Sequence, residues 1–133
     1  MPKYNLMWQE TDSQFLEALL LVTAGEGGAN LQDVLLMADA IDGTVFSLKE
    51  VEAALEKLVA ANFIDVLKNK LSLSPEFHQA HSSVEKGADE QEQLLQLLQR
   101  QELTEQRIEE AKVKLKKYKL KNYYQQYQEQ FGG

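Results

Sequence analysis

The chain has 133 residues, a hydrophobic content of 44% and a formal net charge of -7 at pH 7. This composition predicts one small soluble domain with an extension, because the longest apolar run, residues 18–22, is far too short to cross a bilayer. The absence of cysteine excludes disulfides and thiolate metal sites. Since the N-terminus has no basic region followed by an apolar stretch, we expect a cytoplasmic protein without a transmembrane segment.

Two helices are predicted in the first part of the chain. Residues 11–14, Thr-Asp-Ser-Gln, form a candidate capping box, and apolar residues follow at helical spacing until Gly25 ends the helix. Asn30 is a good N-cap for a second helix, which Gly43 is expected to stop. Residues 25–28, Gly-Glu-Gly-Gly, are typical of a helix stop and a loop, because a phosphate-cradling glycine motif of the dinucleotide type would follow a strand.

A third helix is predicted to begin at Ser47. Ser47 and Glu50 form a capping box, in which the hydroxyl and the carboxylate satisfy each other's backbone N–H groups. Apolar residues then recur at spacings of three and four as far as residue 59, which places them on one face of the helix. The exposed positions are expected to include Lys49, Glu50, Glu52, Glu56 and Lys57, without an arginine.

A β-hairpin is predicted after this helix, which Asn62 terminates. Two short runs alternate with period two, from residue 64 to 67 and from residue 71 to 73. The Lys-Asn-Lys segment at 68–70 lies between them, and asparagine tolerates the left-handed backbone that a hairpin turn needs. Ser74 with the proline that follows it predicts the start of another helix.

The run from residue 55 to residue 77, LEKLVAANFIDVLKNKLSLSPEF, resembles the end of the winged-helix domain of bacterial transcription regulators. In that pattern a helix ends at a small residue, an apolar strand and a short wing follow, and the return strand closes on Leu-Ser/Thr-Pro. The resemblance implies a mainly α winged helix-turn-helix fold with a small β-hairpin wing over residues 1–83. Winged helices bind DNA, RNA or protein, so the resemblance implies no single function.

Residues 84–133 are predicted to form a helical extension, because they lack proline and are rich in Gln, Glu, Leu and Lys. Either one long helix spans them, or the polar stretch 99–106 turns the chain into two antiparallel helices. The apolar residues fall on two faces, of which the second comprises Leu120, Tyr124, Tyr127 and Phe131. Two faces need two partners, so this second face predicts a homodimer, unless a helical hairpin buries both faces internally.

Charge is unevenly distributed along the chain. Residues 1–83 contain five basic and twelve acidic side chains and carry the charge of -7, which repels DNA phosphates. Residues 112–121 hold six lysines and no acid. Such a basic helix can contact nucleic acid or an anionic membrane, or it can form a solvated face or pair with the acidic body. The candidate DNA or partner contacts are Lys49, Lys57, Lys68, Lys70, Lys112, Lys116, Lys117, Lys119 and Lys121.

Catalytic and metal-binding motifs are nearly absent. His78 and His81 lie one helical turn apart with Glu76 and Glu85 nearby, but no second ligand-rich motif completes a metal site. We therefore expect no enzyme, no metal and no cofactor. The sequence predicts a regulatory or interaction module that dimerises through its C-terminal helices and binds a protein partner. The alternative is a DNA-binding transcriptional regulator that uses the third helix and the basic C-terminal helix.

Overall fold

The computed structural model describes residues 6–24, 26–67, 70–83 and 89–131. Within these ranges the chain is mainly helical, as predicted, with a small antiparallel sheet of three strands. The elements in chain order are α1 (Glu10–Thr23), β1 (Gly28–Ala29), α2 (Leu31–Asp42), α3 (Leu48–Ala60), β2 (Ile64–Leu67), β3 (Lys70–Leu73), α4 (Pro75–His81), α5 (Glu90–Gln99), α6 (Glu105–Leu115) and α7 (Leu120–Phe131). None of the helices in the described ranges combines the length and hydrophobicity that crossing a bilayer requires.

Short-range side-chain bonds place the starts of α2 and α3 where the sequence predicts them. Asn30 Oδ1 accepts the Asp33 N–H at 2.9 Å and caps α2, which ends at Gly43 in the left-handed conformation. Ser47 Oγ accepts the Glu50 N–H at 3.1 Å, and the Glu50 carboxylate accepts the Ser47 N–H at 2.9 Å. The predicted capping box at Ser47 is therefore confirmed.

Helix α1 starts earlier than predicted. Its N-cap is Gln9, and Asp12 is the third helical residue, whose carboxylate accepts the Gln9 N–H at 2.8 Å. The candidate box at residues 11–14 is wrong, because Asp12 acts as the acidic member of a box that begins two residues before Thr11. The helix ends at Ala24, which is left-handed with φ 53°, and the predicted stop at Gly25 lies outside the described residues.

The sheet has the strand order β1-β3-β2, and both pairings are antiparallel. The predicted hairpin of β2 and β3 is confirmed, while its turn residues 68 and 69 lie outside the described ranges. Strand β1 was not predicted, since its two residues are too short to show an alternating pattern. Gly28 pairs with Ser72, and a Cβ at Gly28 would lie 3.1 Å from Lys70 Cβ, so glycine permits the close approach of these strands.

The three C-terminal helices pack back onto the first three: α5 lies against α1, α6 against α3 and α7 against α2. The buried apolar residues form one cluster that extends from Phe15 in α1 to Tyr127 in α7. The extension is therefore neither one long helix nor two. The stretch at 99–106 does separate α5 from α6, but a second break at residues 116–119 separates α6 from α7. This break reorients the chain, so that the two apolar faces of residues 108–127 both reach the same core.

Candidate partner-binding surfaces

Helix α3, the predicted DNA-reading helix, is largely covered by other parts of the chain. Every residue from 51 to 61 is buried or half-buried, and only Lys49 and Glu50 near its start are exposed among its helical residues. Helices α1 and α6 both pack against it. Lys112 of α6 places Nζ 3.0 Å from Glu56 Oε1 of α3, so an ion pair joins the two helices. Only Glu52, Ala53 and Glu56 of its central part are partly exposed, so this helix presents no row of exposed basic or amide side chains to a DNA groove.

Lys57 is not a surface residue, and its prediction as an exposed contact is wrong. The side chain is 2% exposed, and Nζ lies 2.6 Å from Asp12 Oδ2 and donates to the Met7 carbonyl at 3.0 Å. The reason is the segment before α1, which folds over this side of α3 and is invisible in the helical pattern of α3 alone. Burial raises the pKa of Asp12, while the bonds from Lys57 and the Gln9 N–H oppose that rise.

The C-terminal lysines meet at the junction of α6 and α7. Lys112, Lys116, Lys119 and Lys121 line one open groove of about 650 Å³. The same groove is also lined by Glu52 and Glu56 of α3, by Tyr118 and by residues 120 and 122. The fifth predicted contact of this segment, Lys117, is exposed but does not line it. The structure therefore brings four of the predicted C-terminal contacts together.

Two further predicted contacts that the structure describes, Lys49 and Lys70, do not join this cluster. Lys49 is exposed at the start of α3 and lines a separate hollow with residues 9–11 of α1. Lys70 is exposed at the start of β3, and Lys68 lies outside the described residues. The exposed contacts that the structure describes thus fall on different parts of the surface instead of forming one continuous basic face.

The α7 face that predicts a dimer is largely buried against other parts of the same chain. Tyr124 and Tyr127 are 7% and 6% exposed, and burial raises the pKa of both phenols. Tyr124 donates a hydrogen bond of 2.5 Å to the carbonyl of Phe46, in the segment between α2 and α3. Leu120 is half-buried against the core, and the side chain of Phe131 lies outside the described part. The two tyrosines are therefore covered within the chain, but by α2 and the segment after it and not by a helical hairpin of the extension.

One of the two histidines of α4 is bonded to a neighbouring side chain. His81 Nε2 lies 2.8 Å from Glu90 Oε1, and the imidazole stacks on Phe77 with ring centroids 5.2 Å apart. His78 is exposed, and Glu85 lies outside the described residues. Across the ranges that the structure describes, no three His, Asp or Glu side chains are placed to hold a metal ion.

An apolar groove between α1 and α2 was missed by the sequence reasoning. It has a volume of about 390 Å³ and is lined by Leu21, Val22, Asp33, Leu36, Met37 and Ala40. Leu21 is 50% exposed, whereas Leu16 and Leu19 of the same helix are fully buried. The available signal was the unbroken run of apolar residues at 18–22, because one face of a helix cannot bury five consecutive side chains.

Comparisons with known proteins find no relative: no family model matches the chain, and no curated protein or solved structure is significantly similar to it. A function has to be argued from the residues and their geometry.

Proposed function

We propose that the chain is a winged-helix interaction module that binds a protein partner and has no catalytic role. The fold assignment is supported by the segment that resembles winged-helix regulators. That segment folds as the helix α3, the strand β2, a short connection, the return strand β3 and the helix α4. This is the order that the resemblance implies, and Ser74 caps α4 at the predicted Leu-Ser-Pro.

The main support for the proposal is that neighbouring parts of the chain pack against α3. A helix that reads DNA presents a row of exposed side chains to the base edges of the major groove. From residue 51 onward α3 has no fully exposed side chain, because α1, α6 and the segment before α1 pack against it, and its half-buried Glu52 and Glu56 are acidic. The charge of residues 1–83 further opposes contact with phosphates. Both features favour a partner other than DNA for the body of the protein.

We assign the protein partner to the apolar groove between α1 and α2. Amphipathic helices bind in such grooves by inserting an apolar face. Asp33 lies in this groove, and the surrounding body is acidic, so complementary charges on the partner would be basic. The expected partner is a protein that presents an amphipathic helix with Lys or Arg beside its apolar stripe. Dimerisation through α7 is not part of this proposal, since Tyr124 and Tyr127 are covered within the chain.

A peptide titration tests this assignment. The full chain is titrated with a designed amphipathic helical peptide that has a leucine stripe flanked by lysines, and backbone amide shifts are followed by NMR. We expect the shifts to concentrate on the C-terminal half of α1 and on α2, and Leu21→Glu to abolish them. Val45→Glu is the matched control, because Val45 is 65% exposed and lies outside the groove. Equal effects of the two variants would contradict the assignment.

The alternative, a DNA-binding regulator that uses α3 and the basic C-terminal helix, is tested by fluorescence anisotropy with a labelled duplex over a range of salt. We expect the chain not to bind the duplex, or to bind it weakly, with an affinity that falls steeply with salt and does not depend on Lys49. Binding that persists at physiological salt and is lost in Lys49→Ala would support the DNA regulator instead, because Lys49 is the exposed cation of α3.

A further inference from the structure

The groove between α1 and α2 carries its charge at one end. Asp33 is in the first turn of α2, and Leu36, Met37 and Ala40 follow it on the same face of that helix. Seven residues of α-helix span about 10 Å, so the carboxylate lies about two turns from Ala40. Among the described residues that line the groove, Asp33 is the charged one and the others are apolar. The groove is therefore asymmetric along the axis of α2.

Asp39, another exposed acid of α2, lies on a different face of the helix. It follows Gln32 by two turns, so both side chains point to the same side. Gln32 Nε2 donates to Gln126 Oε1 of α7 at 3.0 Å. Burial and, second, the charge of Asp39 raise the pKa of the Tyr127 phenol in α7. Asp39 is therefore directed toward α7, whereas Asp33 lines the groove.

The Asp33 carboxylate has no cation within the described part of the chain. No described lysine, arginine or histidine is bonded to it. Residues 4–48, which contain both helices of the groove, hold seven acidic side chains and no lysine, arginine or histidine. The last turn of α1 likewise contains no basic residue to stabilise its negative end. The cation that complements this groove therefore has to come from the partner.

A second copy of the chain is a poor source of that cation. Its own α1–α2 face is equally acidic, so two such faces repel each other. Its basic helix α6 packs on its own α3 and already buries the apolar residues Ile108 and Ala111, which are each 1% exposed. A separate protein whose helix has a free apolar stripe fits the groove better.

We propose that the partner helix binds antiparallel to α2 and places a lysine or arginine of its own last turn on Asp33. A cation in the last turn is stabilised by the negative end of its own helix, and this end then lies beside the positive start of α2. Apolar residues at i, i+3 and i+4 of the partner contact Ala40, Met37 and Leu36, and the cation at i+7 or i+8 reaches Asp33. Arginine suits this position, because its planar guanidinium can bond both carboxylate oxygens. This inference rests on the proposed function and adds the direction of the bound helix and the position of its charge.

The test compares two designed peptides of identical composition, both acetylated and amidated to remove the terminal charges. They share one leucine stripe, but one peptide carries two arginines in its last turn and the other carries them in its first turn. Binding to the full chain is measured by calorimetry at low salt. We expect the peptide with C-terminal arginines to bind about threefold to fivefold more tightly, within the range of an exposed ion pair.

Two variants of α2 assign this preference to a residue. Asp33→Asn should remove the difference in affinity between the peptides. Asp39→Asn is the matched control, because it makes the same change in net charge at an exposed position of the same helix, and it should keep the difference. Equal effects of the two variants would mean that the net charge of the chain, and not Asp33, selects the peptide.

A nitroxide label on the last residue of the peptide with C-terminal arginines reports the direction of binding. It should broaden the amide signals around Asp33 more than those around Ala40. The reverse pattern, or equal affinity of two peptides whose binding is lost in Leu21→Glu, would overturn the orientation and leave the groove assigned. Absence of binding by either peptide would overturn the groove assignment as well. Self-association of the chain in sedimentation experiments that is lost in Leu21→Glu would assign the groove to a second copy.

Discussion

The ammonium group of Lys57 lies 2.6 Å from the Asp12 carboxylate, and the two side chains are 2% and 1% exposed. This buried pair joins α3 to α1. The Met7 carbonyl accepts a second bond from Lys57, and the ammonium group lies 5.9 Å from the centre of the Trp8 ring. The Trp8 indole donates to the carbonyl of Gln101 at 3.1 Å, in the connection between α5 and α6. One lysine thus links the N-terminal segment, two helices of the body and, through Trp8, the extension.

Removing one member of this pair should be costly. Lys57→Met leaves the Asp12 carboxylate buried without its cation, and we expect the free energy of unfolding to fall by about 3–5 kcal/mol. Urea denaturation followed by circular dichroism measures the change. Lys49→Met on the same helix is the control, and because Lys49 is exposed its effect should stay within about 0.5 kcal/mol. The double variant Asp12→Asn, Lys57→Met should recover part of the loss, and a Lys57→Met variant as stable as the control would contradict the buried pair.

The apolar face of α3 should contribute strongly to stability. Leu55 and Leu58 have no exposed surface. Replacing either by alanine should therefore lower the free energy of unfolding by about 2–5 kcal/mol, through lost apolar burial and the cavity left behind. Leu67→Ala is the control, because Leu67 is 68% exposed in β2. Thermal stabilities of Leu55→Ala and Leu58→Ala that match this control would argue against the packing of α3.

Among the residues that the structure describes, the buried hydroxyl of Tyr118 has no hydrogen-bond partner, which predicts an unusual response to a single substitution. Tyr118→Phe keeps the ring in the core and removes a buried polar group without a partner, so the free protein should become more stable by about 1 kcal/mol. Chemical denaturation followed by circular dichroism measures the change. A Tyr118→Phe variant that is less stable than the unsubstituted chain would mean that the hydroxyl is paired in the folded state.

Features that depend on neighbouring residues in the sequence were predictable. The caps at Asn30, Ser47 and Ser74 each bond to a residue three positions later, so a short motif contains all the information. The hairpin of β2 and β3 is local for the same reason. The grouping of Lys112 to Lys121 was also visible, because the six lysines are close in sequence.

Features that depend on distant residues were not predictable from a pattern in one element. Gly28 becomes a strand residue only because Ser72, far along the chain, pairs with it. Lys57 is buried only because residues 7 and 12 meet it, and α3 loses its free surface only because α6 returns to it. The groove at the start of α7 likewise requires α3 and the α6–α7 junction to come together. The sequence shows a change of apolar face between Tyr118 and Leu120, but the pattern alone predicts a second partner surface and not a break in the helix.

The tyrosines of the extension predict how stability depends on alkaline pH. Burial raises the pKa of Tyr118, Tyr124 and Tyr127 above the ordinary tyrosine value near 10. Between that ordinary value and the raised one, the folded chain holds protons that the unfolded chain has lost. The free energy of unfolding therefore falls as pH rises above about 10, and the loss continues up to the raised pKa.

The variant Tyr124→Phe, Tyr127→Phe should show a shallower fall, measured by denaturation at several alkaline pH values with tyrosinate absorbance as the second signal. The slopes are compared and not the absolute stabilities, because this variant also loses the hydrogen bond to Phe46 at neutral pH. An equally steep fall in the variant would mean that Tyr124 and Tyr127 do not couple alkaline pH to unfolding.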